Sequence, residues 1–289
     1  MNKAFFSGVC TALVTPFLNG AINYPMMEQL LGRQIAAGIP AVVLAGTTGE
    51  SPTLSDDEKL EMFRRAKAYV RNRCLIIAGT GSNSTAHAIE LSRKAEQFGA
   101  DALLVVSPYY NKATASGLIA HYQAIAQAVH IPVIIYNVPS RTGVDIPVSV
   151  YKELSAIQNI AGVKEASSDI TKIIKIRRAC GPGFAIWSGN DDQTVPVISL
   201  GGSGIVSVLS NICPVETMAM AQAALDGDFD TASDLQCQLQ PLVELLFCEV
   251  NPIPVKAALK RIGLDCGGCR LPLTTLSPEN EAQLEQFLS

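Results

Sequence analysis

The sequence predicts a (β/α)8 barrel followed by a small C-terminal helical appendage, on three observations. Short, continuously apolar runs recur, each bounded by Gly, Pro, Ser or Asn. Strands that are apolar throughout are buried on both faces, the mark of a parallel sheet. Stretches with helical periodicity separate most of them, so strand and helix alternate. Finally, eight runs fit within about the first 225 residues at a repeat of roughly 30, as a closed barrel of βα units requires. The rival doubly wound sheet finds no G-x-G-x-x-G after a strand to support it.

The strands are read at 9–14, 41–45, 75–78, 102–106, 133–136, 160–164, 185–188 and 204–208. Among the helices 55–70 is clearest: Ser55 is a good N-cap, Glu58 completes a capping box, and Leu60, Phe63, Ala66 and Val70 supply apolar positions. Helices are also read at 84–98, 116–129 and, more weakly, 147–154. From Asp228 onward there is no good strand, and 230–248, 252–262 and 277–288 read as helices. The expected division is a catalytic barrel over 1–225 and a helical domain over 226–289.

Of the 289 residues, 48% are hydrophobic and 17% charged, a composition that buries a sizeable core. The net charge of −4 suggests neither nucleic acid nor anionic membrane as a partner. No apolar run approaches the roughly 20 residues that span a bilayer. Ser7 and Gly8 interrupt the apolar start at Phe5-Phe6 and Pro16 follows, so no signal peptide is expected. Eight cysteines in a chain this long are no disulfide scaffold, and several lie in apolar segments as small hydrophobes. A cytoplasmic protein is expected.

In such a barrel the chemistry collects at the C-terminal ends of the strands. The sixth run ends in Lys164, with Glu165 behind it. A lysine leaving a buried strand is poorly solvated, which disfavours its ammonium form, and a free amine is what Schiff-base formation with a carbonyl requires. Alone, the residue reads more readily as a lysine snorkelling to the surface. The second run ends in Gly46-Thr47-Thr48-Gly49-Glu50. There two glycines let backbone N–H groups converge on an anion, the threonine hydroxyls add donors, and the following helix adds its positive end. An ordinary capped turn is the plain alternative. Without G-x-x-x-x-G-K, a nucleotide phosphate is not expected.

The fourth run leads into Tyr109-Tyr110 and the fifth ends in Tyr136. Tyrosine at a strand end is commonly an amphipathic core residue, but hydroxyls gathered from several strand ends can pass a proton. Arg141 is a bidentate donor suited to a carboxylate, or else a surface ion-pair partner. Gly189 precedes Asp191 and Asp192, read as solvated carboxylates and not a metal pair. Gly201, Gly202 and Gly204 flank the eighth run at Ile205, where they allow a ligand close to the backbone. His87, His121 and His130 form no H-x-H or H-E-x-x-H, and Cys266-Gly-Gly-Cys269 is a lone C-x-x-C outside a strand–helix context. No metal site is expected, and whether Cys266 and Cys269 pair is left open.

In order along the chain, Gly46-Thr47-Thr48-Gly49-Glu50, the run from Tyr136 through Arg141 to Gly143, and Gly162-Val163-Lys164-Glu165 resemble the pyruvate-dependent class I aldolase and lyase superfamily. Within it the chain looks most like the dihydrodipicolinate synthase family, over essentially its whole length, including Asn251-Pro-Ile-Pro-Val-Lys256. The resemblance implies a lyase of the diaminopimelate route to lysine. Lys164 would form a Schiff base with pyruvate, and Tyr136 would be the general acid/base. Thr47 and Tyr110 would complete a proton relay, with Tyr110 reaching in from a neighbouring subunit of a homotetramer. Thr48 and the backbone near Gly49 would hold the pyruvate carboxylate, and Gly189 and Ile205 would line its site. Arg141 would bind the carboxylate of L-aspartate 4-semialdehyde. The imine nitrogen is itself an electron sink, so no cofactor is implied.

Members inhibited by lysine face its ammonium with a Glu near the subunit interface. Here His87 takes the matching position and Lys59 replaces a histidine, which disfavours a cationic ligand and implies weak or absent feedback. An N-acetylneuraminate lyase or 2-keto-3-deoxy sugar acid aldolase would share the pyruvate half, and Ser140-Arg141-Thr142 favours a carboxylate-bearing aldehyde over a sugar. A non-catalytic barrel that binds a keto acid is the alternative of another class, against which Lys164, Tyr136, Thr47 and Tyr110 speak.

Overall fold

The structure, a computed structural model, describes residues 4–288. Eight parallel strands close into a barrel: β1 (Gly8–Ala12), β2 (Ala41–Leu44), β3 (Leu75–Gly79), β4 (Ala102–Val106), β5 (Val133–Asn137), β6 (Ile160–Glu165), β7 (Ala185–Ser188) and β8 (Gly204–Ser207). Each strand pairs with its sequence neighbours, and β1 closes on β8. The helices between them are α1 (Tyr24–Ala36), α2 (Asp56–Val70), α3 (Thr85–Gln97), α4 (Ala115–Ala128), α5 (Val148–Leu154), α6 (Ile170–Cys180), α7 (Thr194–Ser199) and α8 (Pro214–Asp226). All eight strands fall where apolar runs occur. The first is shorter than expected because the Val14 N–H turns to the Asn211 side chain ahead of Pro16, leaving the ladder. A two-stranded ribbon, Phe17–Leu18 with Ala21–Ile22, was not anticipated; its strands are too short for a periodic signal.

Period-two alternation divides the core. One set of strand side chains, including Val9, Val42, Ile76, Leu103, Ile135, Val163, Ile186 and Ile205, packs against the helices. The other set, including Cys10, Ala41, Val43, Ala102, Ile134, Tyr136, Trp187 and Val206, fills the barrel. Phe6, two residues ahead of β1, stacks on Trp187 at 4.7 Å and accepts its indole N–H on the main chain, so the barrel is plugged at the end away from the strand C-termini. α2 begins with the full Ser55–Glu58 capping box.

Three helices follow the barrel: α9 (Phe229–Leu246), α10 (Ile253–Arg261) and α11 (Pro278–Leu288). Leu242, Leu246, Val255 and Leu259 join the core outside the strands. A buried ion pair adds to this seam. The Lys256 ammonium donates to Glu50 at 2.6 Å and to the Gly268 carbonyl at 2.9 Å, with side-chain exposures of 3% for Lys256 and 1% for Glu50. The other Glu50 oxygen accepts the Arg270 N–H at 2.8 Å. Cys266 and Cys269 are unbridged. Among the described residues no helix is long and apolar enough to cross a membrane.

Removing one partner of such a pair leaves a buried charge uncompensated. Lys256→Met is therefore expected to lower unfolding stability by about 3–5 kcal/mol in urea titration, and Glu50→Gln/Lys256→Met by less than the single change.

Candidate active site

Lys164 lies on β6 between Tyr136 of β5 and Trp187 of β7 in register, so its side chain enters the barrel interior. It is 6% exposed, and its amine sits 4.2 Å from the centroid of the Tyr136 ring, which offers it the negative face of the π system. The other buried lysines all have carboxylates: Lys59 has Asp56 at 3.8 Å, Lys172 has Asp145 and Glu165, and Lys256 has Glu50. Among the described residues, no carboxylate lies within ion-pair distance of the Lys164 amine.

Glu165, the next residue, faces the opposite side and anchors the strand. It accepts from Asn137 at 2.7 Å, from the Tyr151 hydroxyl at 3.0 Å and from the Ser167 N–H at 2.9 Å. Burial, reinforced by the Glu165 charge, pushes the Tyr151 hydroxyl well above the usual phenol range, so it stays a neutral donor. Gly189, after β7, gives the amine its room: a Cβ there would lie 2.6 Å from the Ala166 Cβ and 3.1 Å from Lys164 Cε.

The loop 46–50 after β2 is wound tightly, with Ala45 at φ +52° and Glu50 at φ +56°, both left-handed. Gly79 makes this possible, since a Cβ on it would come 2.1 Å from the Ala45 carbonyl oxygen. Glu50 and Ser51 donate their N–H groups to the Thr47 and Gly46 carbonyls. None of the loop's internal hydrogen bonds uses the N–H of Thr47, Thr48 or Gly49, which leaves three adjacent donors for an anion. The helix end expected to assist is elsewhere: a one-turn 3-10 helix (Ser51–Thr53) intervenes, and α2 caps itself and opens with Asp56-Asp57-Glu58.

A cavity of about 560 Å³ opens at this end, lined by Thr47, Tyr136, Arg141, Tyr109, His87 and Asn251 among others. Thr48 is 2% exposed, with its hydroxyl accepting from Asn251 at 2.9 Å. Arg141 is on a one-turn helix (Pro139–Thr142) and donates to the Asn251 carbonyl at 3.3 Å. Tyr110, at 90% exposure and φ +71°, points out of its own barrel and is not brought to Lys164 within one chain.

Three readings change. The Ile205 side chain faces the helices while its neighbour Val206 faces the interior, so Ile205 can meet a ligand only through its backbone. Gly204 serves the barrel wall and not a ligand: a Cβ on it would come 1.9 Å from the Gly8 carbonyl oxygen. Asp191 is buried instead of solvated, and its carboxylate is taken up by the Ser207 hydroxyl and the Val208 and Leu209 N–H groups. Burial nonetheless raises its pKa above the usual carboxylate value. Among the described residues no group of three or more His, Cys, Asp or Glu converges as metal ligands would.

His87 and Lys59 line the same cavity. Sequence reasoning missed the carboxylate between them. Asp56 bonds His87 Nε2 at 2.7 Å and lies 3.8 Å from the Lys59 amine, which burial shifts below its usual lysine value against the opposing pull of Asp56. Asn251 was also missed as a site residue, having entered only with the resemblance of the Asn251–Lys256 segment.

Fold and site together place the chain among the (β/α)8 barrel enzymes. More narrowly, it belongs to the dihydrodipicolinate synthetase family, whose model matches residues 5–289. A 4-hydroxy-tetrahydrodipicolinate synthase of Thermoanaerobacter sp. (strain X514) is 47% identical over 285 residues, covering 98% of this chain and 96% of the relative. The crystal structure of dihydrodipicolinate synthase from Aquifex aeolicus superposes with a TM-score of 0.96 at 42% identity, covering 98% of this chain and 97% of that one. That of the Cyanidioschyzon merolae enzyme with lysine bound gives 0.95 at 43% identity, with 98% and 97% covered.

Gly189→Ala is expected to push the Lys164 side chain aside and lower the steady-state rate by about 10²-fold, with urea unfolding measured alongside to show the barrel intact.

Proposed function

We propose that this chain condenses pyruvate with L-aspartate 4-semialdehyde and cyclises the product, the activity named for its relatives. One observation carries the reading: Lys164 is buried inside the barrel with, among the described residues, no carboxylate within ion-pair distance, and the loop after β2 of the same barrel keeps three unused N–H donors. The Lys164 amine adds to the pyruvate carbonyl, and loss of water gives an imine. A proton leaves the methyl carbon to give an enamine, which attacks the aldehyde. The amine of the second substrate then displaces Lys164 and closes the ring. The imine nitrogen accepts the electron pair, so the reading calls for no cofactor.

In this scheme Tyr136 moves the protons, Thr47 lines the same cavity and extends the relay, and Thr48 with the Gly49 backbone holds the pyruvate carboxylate. Gly189 and the Ile205 backbone border that half, and Arg141 at the mouth meets the carboxylate of the aldehyde. Tyr110 completes the relay only if a neighbouring subunit supplies it, and its 90% exposure supports an oligomer of this chain, a tetramer by family resemblance. Segment 226–289 acts as an appendage that braces the barrel and contributes Asn251, within a cytoplasmic enzyme of lysine biosynthesis.

Borohydride reduction with pyruvate is expected to leave a covalent adduct on Lys164, and Lys164→Ala to abolish it and cut turnover by at least about 10³-fold. An adduct mapped to another residue overturns the mechanism. Consumption of pyruvate with the semialdehyde, and not with sugar aldehydes, decides the substrate.

Weak lysine feedback follows from the His87–Asp56–Lys59 cluster, where the one carboxylate is already engaged by two basic side chains. Micromolar lysine is expected to leave the purified enzyme's rate unchanged; inhibition at that level contradicts the assignment.

A further inference from the structure

We infer that Asn251, in the turn ahead of α10, is a positioning residue that couples the two substrate halves, an assignment that rests on the roles proposed for Thr48 and Arg141. Its side-chain NH2 group donates to the Thr48 hydroxyl at 2.9 Å, while its main-chain carbonyl accepts from the Arg141 guanidinium at 3.3 Å. A single residue of the tail thus touches both the loop read as holding the first carboxylate and the cation read as holding the second.

The residue is 6% exposed and lines the cavity. Its amide oxygen is buried and has no hydrogen-bond partner among the described residues, so Thr48 alone fixes the amide. The clamp is doubled nearby. Lys256, five residues on, grips Glu50, two residues beyond Thr48. The segments 251–256 and 48–50 are therefore tied at both ends, and a movement of Thr48 reaches the Arg141 anchor through one side chain. Occupancy of the carboxylate loop sets the guanidinium for the second substrate.

Asn251 touches neither reacting atom, so its loss should appear in binding more than in turnover. Wild-type enzyme is assayed first: absence of pyruvate trapping or of condensation there is a failure of the functional reading and not of this one. Asn251→Ala is then compared with Thr48→Val and with the double variant, using borohydride-trappable sites to count active enzyme. Asn251→Ser, whose hydroxyl is too short to reach Thr48, replaces the alanine variant if that does not fold. The expected result is a rise of about three- to tenfold in KM for both substrates, with kcat per trappable site changed less. The double variant should be no worse than the worse single one. Unchanged KM for the semialdehyde, or effects of Asn251→Ala and Thr48→Val that multiply, overturns the coupling.

Discussion

A lysine amine buried without a neighbouring carboxylate is the constraint around which this barrel is built. Burying a charge unpaired is expensive, and the chain avoids it at Lys172 and Lys256, where Asp145, Glu165 and Glu50 stand opposite. At Lys164 the Tyr136 ring face lies 4.2 Å from the amine, and among the described residues no carboxylate forms an ion pair with it. Such an arrangement persists only if the surroundings are stiff. The stiffness comes from the other face of the same strand, where Glu165 gathers Asn137, Tyr151, Ser167 and Lys172. Alternation along β6 therefore does two jobs with adjacent residues: one holds the strand and the other enters the barrel interior without an ionic partner among the described residues.

The tail belongs to the same economy of support. The segment 45–50 carries two non-glycine residues in the left-handed region, Ala45 and Glu50, a conformation that survives when neighbouring contacts over-determine it. Lys256 and the Arg270 N–H supply those contacts to Glu50, and Thr15 donates to the Gly49 carbonyl at 2.7 Å. Thr47 and Thr48 are thus held in place from a segment 200 or so residues away, as the separation of 203 between Asn251 and Thr48 shows. The helices after the barrel stabilise the shape of the mouth as well as covering the outer core.

Legibility followed the range of the forces. The eight strands could be read because burial on both faces writes a continuous apolar run, and α2 because Ser55 and Glu58 form a local cap. The short ribbon at Phe17–Leu18 writes no such pattern. Within the candidate site, Lys164 and Tyr136 could be named because each ends an apolar run, and Thr47 and Arg141 because each lies in the short segment after one. Ile205 shows the limit of that rule: one step along a strand exchanges interior for exterior, and an apolar run that is buried on both faces does not say which step is which. Asp191 shows another, since the donors that accept its burial come from β8 and the turn after it.

By itself the sequence determined the barrel, the order of its strands and the residue types at their ends, because these depend on local pattern and on burial that every parallel strand shares. Only the tertiary structure decided which buried lysine lacks a partner, that Asp56 lies between Lys59 and His87, that Tyr110 turns away from its own site, and that Asn251 joins Thr48 to Arg141. Each of these is a relation between side chains far apart in the chain, set by barrel closure and by the docking of the tail, and no spacing along the sequence encodes it.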